Sequence, residues 1–229
     1  MELETGAAFD RWKAALPSEI GFWQAICGGT LPNAEWVKNF RTLATTGAAR
    51  RADLTPFLTL GRANRILDVG AGPHTHIGDR GAPTPIEIVP VDPLAEKYAQ
   101  LLAANRIVPL MRTLPGEAEK LRSYGFSDSF DLVFSRNALD HAYDPINAVS
   151  EMLHCCRVGG HVLLEGSTNE GVKQRYKGLH QWNFEPQADT DLVIWNPDTR
   201  VSMRGRLGNW AQLSATGDDW YRVDIKRLR

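Results

Sequence analysis

The chain has little cysteine, no long apolar run and no charge bias, and each absence excludes something. Three cysteines in 229 residues, Cys27, Cys155 and Cys156, cannot build a disulfide framework. They read as buried structural thiols without a metal or redox role, as suits a reducing compartment. No apolar stretch approaches the roughly 20 residues that a membrane helix needs. Lys plus Arg number 26 against 27 Asp plus Glu, a formal net charge of -1. That balance lacks the electrostatic footprint of a nucleic-acid or anionic-membrane binder. The basic end, Lys226-Arg227-Leu228-Arg229, reads as a solvated terminus. The start, Met1-Glu2-Leu3-Glu4, lacks the basic-then-apolar order of a signal peptide, so a cytoplasmic location is expected. There is no internal repeat and no low-complexity segment.

What is present is an alternation of strand-like and helix-like segments. Residues 1–60 form a helical, aromatic-rich N-terminal extension carrying Phe9, Trp12, Phe22, Trp23, Trp36, Phe40 and Phe57. Pro17-Ser18 and Pro32-Asn33 look like helix starts within it. From residue 61 the pattern predicts strands over Ile66–Val69, Ile86–Val91, Ile107–Leu110, Phe130–Ser135 and His161–Glu165. Helices are predicted between them over His74–Gly78, Leu94–Ala104, Glu117–Tyr124 and Pro145–Cys156. Such alternation argues for an α/β fold with a parallel sheet covered on both faces. Past residue 166 the rhythm changes. Leu192–Trp195, Val201–Met203 and Tyr221–Leu228 are expected as antiparallel strands at the sheet edge.

The most informative stretch is Asn64-Arg65-Ile66-Leu67-Asp68-Val69-Gly70-Ala71-Gly72. It reads as a buried strand that stops near a carboxylate and turns through two glycines, which lets a ligand approach the backbone closely. This is the nucleotide-site grammar of an open α/β sheet. A dinucleotide fingerprint needs a third glycine at position 75, where Thr75 stands. Asp68 would repel a pyrophosphate and attract an ammonium group. Asp92 ends the second strand, twenty residues past Gly72, where a carboxylate can accept both ribose hydroxyls. The alternative to this favoured role is an ordinary N-cap for a helix beginning at Pro93.

Asp68-Val69-Gly70-Ala71-Gly72-Pro73-His74 resembles the first motif of class I S-adenosylmethionine-dependent methyltransferases, with His74 where a further glycine is usual. The resemblance covers residues 64–166 and implies a Rossmann-like, mostly parallel seven-stranded sheet with helices on both faces. It implies S-adenosyl-L-methionine as cofactor and S-adenosyl-L-homocysteine as product. Asp68, Gly70, Gly72, His74 and Asp92 are then cofactor-binding. Glu117 and Ala118 match the pair that contacts adenine, though a solvated helix start explains them as well. Strand four and its loop, Phe130 to His141, border the methyl group in the family and place Ser135 and Asn137 against the cofactor.

The catalytic candidates are His141, whose side chain suits general-base work near neutral pH, and Asp140, a second carboxylate or an orienting partner. Asp131 is assigned no catalytic role. Residues 167–190 form a substrate-binding insertion rich in groups that bind polyols. Asn169, Glu170, His180 and Trp182 are its candidate contacts, with Trp182 offering a face to a sugar ring and Asn183 a further amide. This segment and Asn137-Ala138-Leu139-Asp140-His141 loosely resemble bacterial saccharide-modifying members.

Asp140, His141, Glu170 and His180 include metal-ligand types, but no compact ligand motif joins them, and metal-independent chemistry is expected. The expectation is O-methylation of a saccharide or another small hydroxylated molecule by residues 61–229, without nucleic acid or membrane. A catalytically silent cofactor-binding module, an NAD-dependent oxidoreductase, and methylation of a natural product or a protein side chain are the alternatives.

Overall fold

The computed structural model describes residues 5–32, 34–48, 51–78 and 84–229, so Met1 to Glu4 and Asn33 of the expected helix start lie outside it. Strands β1 (Asn64–Val69), β2 (Ile86–Asp92), β3 (Leu114–Pro115), β4 (Phe130–Arg136) and β5 (Cys156–Ser167) form one sheet with β9 (Ala211–Thr216) and β10 (Trp220–Arg227). The order is β3-β2-β1-β4-β5-β10-β9. Pairs from β3 to β5 are parallel, and β10 runs antiparallel to both β5 and β9. This is the expected mostly parallel, seven-stranded Rossmann-like sheet. Its order reverses between β1 and β4, the switch point at which such folds bind ligands.

Strand periodicity explains the two faces of the sheet. Leu67, Val69 and Val133 enter one core cluster, whereas Ile66, Leu132 and Phe134 enter another. Successive side chains point to opposite faces, and central parallel strands are buried on both. Helix α4 (Pro145–Cys155) packs on the first face with the 3-10 turn Ala118–Tyr124. Leu54 and Phe57, from the 3-10 turn Ala52–Phe57, cover the second. Pro145 takes the first turn of α4, and Asp144 caps it by accepting from Asn147 N–H at 3.0 Å.

The N-terminal extension is helical: α1 (Thr5–Gly28) and α2 (Ala34–Thr46). Ile26 and Cys27 of α1 cluster with Phe40 and Ala44 of α2 and with Leu102 of α3 (Ala95–Ala104). Pro17 does not start a helix but lies inside α1. The missing N–H costs about 3 kcal/mol, which the packing of both flanking halves offsets.

Several other expectations are corrected. Residues 74–78 form bends and an isolated bridge, not a helix. Ile107–Leu110 is not a strand: Ile107 joins the α1–α2–α3 cluster, while Val108 and Leu110 are exposed. The third strand is instead the two-residue β3. The segments β7 (Leu192–Trp195) and β8 (Arg200–Ser202) lie in a separate antiparallel sheet with β6 (Asn183–Pro186), beside the main sheet's edge but not part of it. The edge belongs to β9, which the sequence reading did not find. Cys155 ends α4 and Cys156 opens β5; with Cys27 they are free and buried, and burial pushes both adjacent thiols up to about 12. Among the described residues no helix is long and apolar enough to cross a membrane.

Candidate active site

A cavity of about 550 Å³ opens at the carboxyl ends of β1 and β4. It is within the range of small-molecule sites. The turn after β1 supplies Gly70, Ala71 and Gly72 to its wall. Gly70 and Gly72 have φ of +72° and +65°. A side chain at Gly70 would drive into Ala138, and one at Gly72 would come to 3.3 Å from the Trp23 ring. The turn therefore has room for backbone only.

Asp92 lines the same cavity. Its carboxylate accepts from Gly72 N–H at 3.1 Å and from Leu94 N–H at 2.8 Å. Burial raises its pKa to about 7, although those two hydrogen bonds pull the other way. Asp92 is not the N-cap of α3, a position held by Leu94; its side chain bonds the backbone ahead of that helix and faces the cavity. Asp68 is buried and does not line the cavity. It accepts from the Thr75 hydroxyl at 2.5 Å, and burial raises its pKa to about 6. Ser135 Oγ is buried beneath Gly70 with no hydrogen-bond partner. Such an orphan is expected where a bound group would complete the shell.

His74 lines a separate small cavity with Leu43, Ala44 and Thr75. Its Nδ1 lies 2.9 Å from Thr75 O, and its ring sits against Phe40. The irregularity of the glycine turn is thus spent on packing α2. In the adenine pair, Ala118 lines the main cavity, but the Glu117 carboxylate accepts from Tyr143 OH at 3.1 Å and from Lys120 at 2.8 Å. The acid of this segment that lines the cavity is Glu119, buried and accepting from Tyr143 N–H at 2.8 Å. Burial raises its pKa to about 7.

Asn137, at φ +50°, lines the cavity. Its N–H donates to Glu165 O at 2.6 Å, and its Oδ1 accepts from Ser167 N–H at 3.1 Å, so the loop after β4 is tied to β5. The 3-10 turn Leu139–His141 follows. Gln181 N–H donates to Asp140 O at 3.2 Å, which brings the 177–181 segment onto this turn. His141, His180 and Asp140 converge there. His180 Nδ1 is 2.7 Å from Asp140 Oδ2 and 3.0 Å from His141 Nε2, and His141 Nε2 is 3.6 Å from Asp140 Oδ2. Both rings line the cavity. Burial would raise the Asp140 pKa, but His141 and His180 outweigh it and hold the carboxyl below its usual range. Burial disfavours charged His180, yet the Asp140 hydrogen bond raises it overall.

The other insertion candidates stand apart. Trp182 is 3% exposed in the main core, with no face left for a sugar ring. Asn183 is fully buried, its amide spent on Val172 N–H and Tyr176 OH. Glu170 accepts from Gln174 at 2.8 Å, and Asn169, at φ +56°, has a buried, unpaired Oδ1. Neither lines the cavity. Asp131 lies at the far end of β4, where it pairs with Arg62 and Arg157.

From the sequence the aromatic-rich extension could be a lid or a cap on the sheet, with no site residue assigned to it; its α1 supplies a wall of the cavity. Trp12, Leu16, Glu19 and Trp23 all face the cavity. Their spacing of four, three and four residues is one helical face and was the available signal. Glu19 accepts from Trp23 Nε1 at 2.7 Å and lies 4.0 Å from His141 Nδ1.

Residues 67–164 match the family described as a methyltransferase domain. The chain is 32% identical over 120 residues to the tRNA U34 carboxymethyltransferase of Alcanivorax borkumensis, covering 52% of this chain and 37% of that protein. It is 29% identical over 180 residues to the enzyme of the same name from Azotobacter vinelandii, covering 73% and 51%. The matched stretch thus spans about half, or less, of these relatives' own length. Among solved structures, the CMeT domain of the citrinin polyketide synthase superposes with a TM-score of 0.51 at 15% identity, over 77% of this chain and 50% of that one. That likeness is one of fold. The cradle fits the cofactor of this class: a backbone-only glycine turn, a carboxylate twenty residues on, and an orphaned hydroxyl beneath the turn. Residues 67–164 of this chain are a Rossmann-like, class I S-adenosylmethionine-dependent methyltransferase domain.

Proposed function

We propose that the chain methylates a hydroxyl of a small polar acceptor, a saccharide being the favoured class. One observation supports this above the rest. The glycine turn and Asp92 share a single cavity with His141 and His180, behind which lies the buried Asp140. In this reading Asp92 accepts from the ribose hydroxyls, the Gly70–Gly72 backbone borders the methionine end, and Ala118 borders the adenine. Bound there, S-adenosylmethionine supplies a sulfonium methyl group. Alignment of acceptor and methyl carries much of such a rate. The acceptor's proton is lost at the cluster. With no other group bound, His141 takes it, and Asp140 orients the neighbouring His180. His180, rather than Asn169, Glu170 or Trp182, is the insertion's contact with the acceptor.

The test is transfer of labelled methyl from S-adenosylmethionine to monosaccharides and nucleotide sugars by the wild type and His141→Ala. Turnover should fall by about 100-fold or more while S-adenosylhomocysteine affinity stays within about twofold. Unchanged turnover sinks the role of His141.

A second reading takes its substrate from the relatives' names: carboxymethyl transfer to a tRNA. Arg136 and Lys177 line the cavity and could face a carboxylate. The net charge of -1 argues against an RNA surface on this chain alone. Modification of added tRNA, with none of the small acceptors, would favour it. Tight cofactor binding with transfer to neither class would identify a silent module.

A further inference from the structure

We infer that Asp140, His141 and His180 form a binding site for a divalent first-row transition-metal cation. Asp140 Oδ2, His141 Nε2 and His180 Nδ1 are separated by 2.7, 3.0 and 3.6 Å. A cation about 2.1 Å from each of three donors sets them about 3.4 Å apart at tetrahedral angles and about 3.0 Å apart at octahedral ones. The observed edges span both values.

Hydrogen bonding alone accounts poorly for this arrangement. His180 Nδ1 carries at most one proton, yet two acceptor-type atoms lie within 3.0 Å of it. A proton directed at Asp140 leaves the His141 Nε2 lone pair facing a nitrogen with nothing between them. A proton on His141 Nε2 meets an N–H instead of an acceptor. A cation shared by three lone pairs satisfies every atom. Two imidazoles and one carboxylate are the mixed donor set of zinc, iron, manganese or cobalt rather than of magnesium or calcium.

The surroundings are those of a site that also takes a ligand. His141 and His180 line the cavity, so positions not filled by protein face the place where the acceptor is proposed to lie. Glu19 of α1 stands 4.0 Å from His141 Nδ1, on the far side of the ring from Nε2. That separation is beyond hydrogen-bond distance, so Glu19 contributes a nearby negative charge that favours a bound cation. The backbone bond from Gln181 N–H to Asp140 O holds the two ligand-bearing segments together without the cation. Glu170, the fourth ligand type considered from the sequence, is not part of the group.

The role of the cation in turnover rests on the methyl-transfer reading above, whereas the site itself does not. A hydroxyl coordinated there would break its O–H bond more readily, because the cation stabilises the oxygen's negative charge, and the proton would leave to water. His141 is then a ligand in the loaded protein and a base only in the metal-free one.

The test uses the full chain, stripped with a chelator and titrated with Co2+ alone. The expected result is one Co2+ per chain, with visible d–d bands of nitrogen ligation. His141→Ala and His180→Ala should each weaken binding by about tenfold or more, and Glu19→Gln by a smaller factor. Circular dichroism of each variant checks its fold, and Glu19→Gln leaves all three ligands in place if an alanine variant unfolds. Wild-type binding no tighter than that of the folded His141→Ala/His180→Ala double variant overturns the site, as does Co2+ binding that lacks nitrogen-ligand bands. Co2+ bound with these bands, but no methyl transfer to any acceptor, leaves the site standing and removes the transfer reading.

Discussion

Gly72 N–H donates to the Asp92 carboxylate across 3.1 Å, so the glycine turn after β1 is tied to the last residue of β2. The other carboxylate oxygen accepts from Leu94 N–H. Asp92→Asn would set its NH2 group against one of these two donors. It also removes the charge that would hold ribose hydroxyls. S-adenosylhomocysteine affinity should fall by about tenfold to 100-fold, the worth of a charged hydrogen bond. Isothermal calorimetry measures this, and an unchanged affinity would refute the ribose role.

Gly70→Ala tests the cradle. The added Cβ meets Ala138 on the loop after β4, and the backbone at φ +72° disfavours any side chain. Strain and overpacking together should cost about 2–4 kcal/mol in urea unfolding. Gly61→Ala, also at positive φ but with open space around it, is the control and should cost only about 1 kcal/mol.

Buried carboxylates set a pH dependence. Burial raises Asp92 from 3.8 to about 7 and Asp68 from 3.8 to about 6. Between those values the folded chain keeps protons that the unfolded chain has released. Their contribution to stability is therefore full below about pH 4 and is lost as pH rises to about 7. Urea unfolding of the ligand-free protein across this window should show a flatter profile for Asp92→Asn than for the wild type. Identical slopes would mean that Asp92 ionises normally.

Glu165, buried at the end of β5, accepts from Arg51 at 2.8 and 2.9 Å and from Arg222 at 2.6 Å. Asp53 bonds the same two guanidinium groups. Glu165→Ala leaves two cations facing one carboxylate and should destabilise the chain by about 2–3 kcal/mol, since Arg222 is partly screened by solvent. It should also speed tryptic cleavage near Arg51, because this network fastens the 51–57 segment to the sheet. Cleavage at the wild-type rate would count against that fastening role.

Much of the cofactor half was legible because its signals are local. A strand that runs into Asp68-Val69-Gly70-Ala71-Gly72 and a carboxylate at Asp92 sit at the carboxyl ends of two neighbouring parallel strands, so residue type and spacing carry them. The near-continuous burial of β1 and β4, covered on both faces, is similarly local. Ile107–Leu110 misled because a four-residue apolar run is compatible with a strand or with a chain draped on helices. Only the α1–α2 contact chooses, by burying Ile107 and leaving Val108 out. β9 was missed because its outward positions are Gln212, Ser214 and Thr216 and two of its buried ones only Ala211 and Ala215, a weak alternation that pairing with β10 makes a strand.

The acceptor side was far less legible. Residue types in the 167–190 segment suggested polyol contacts, yet Trp182 and Asn183 turned inward and Asn169 and Glu170 stayed off the cavity. Side-chain direction there depends on β6 pairing with β7, which no window of sequence contains. His141 and Asp140 could be singled out from their place after β4. Their meeting with His180, some forty residues on, comes from one backbone bond between Gln181 and Asp140. Local pattern thus specified the sheet and the cradle, since hydrogen-bonded strands and turns follow from short-range preferences. Tertiary packing alone assembled the His–His–Asp group and laid α1 over it, because convergence of distant side chains depends on contacts between elements and not on the residues within any one of them.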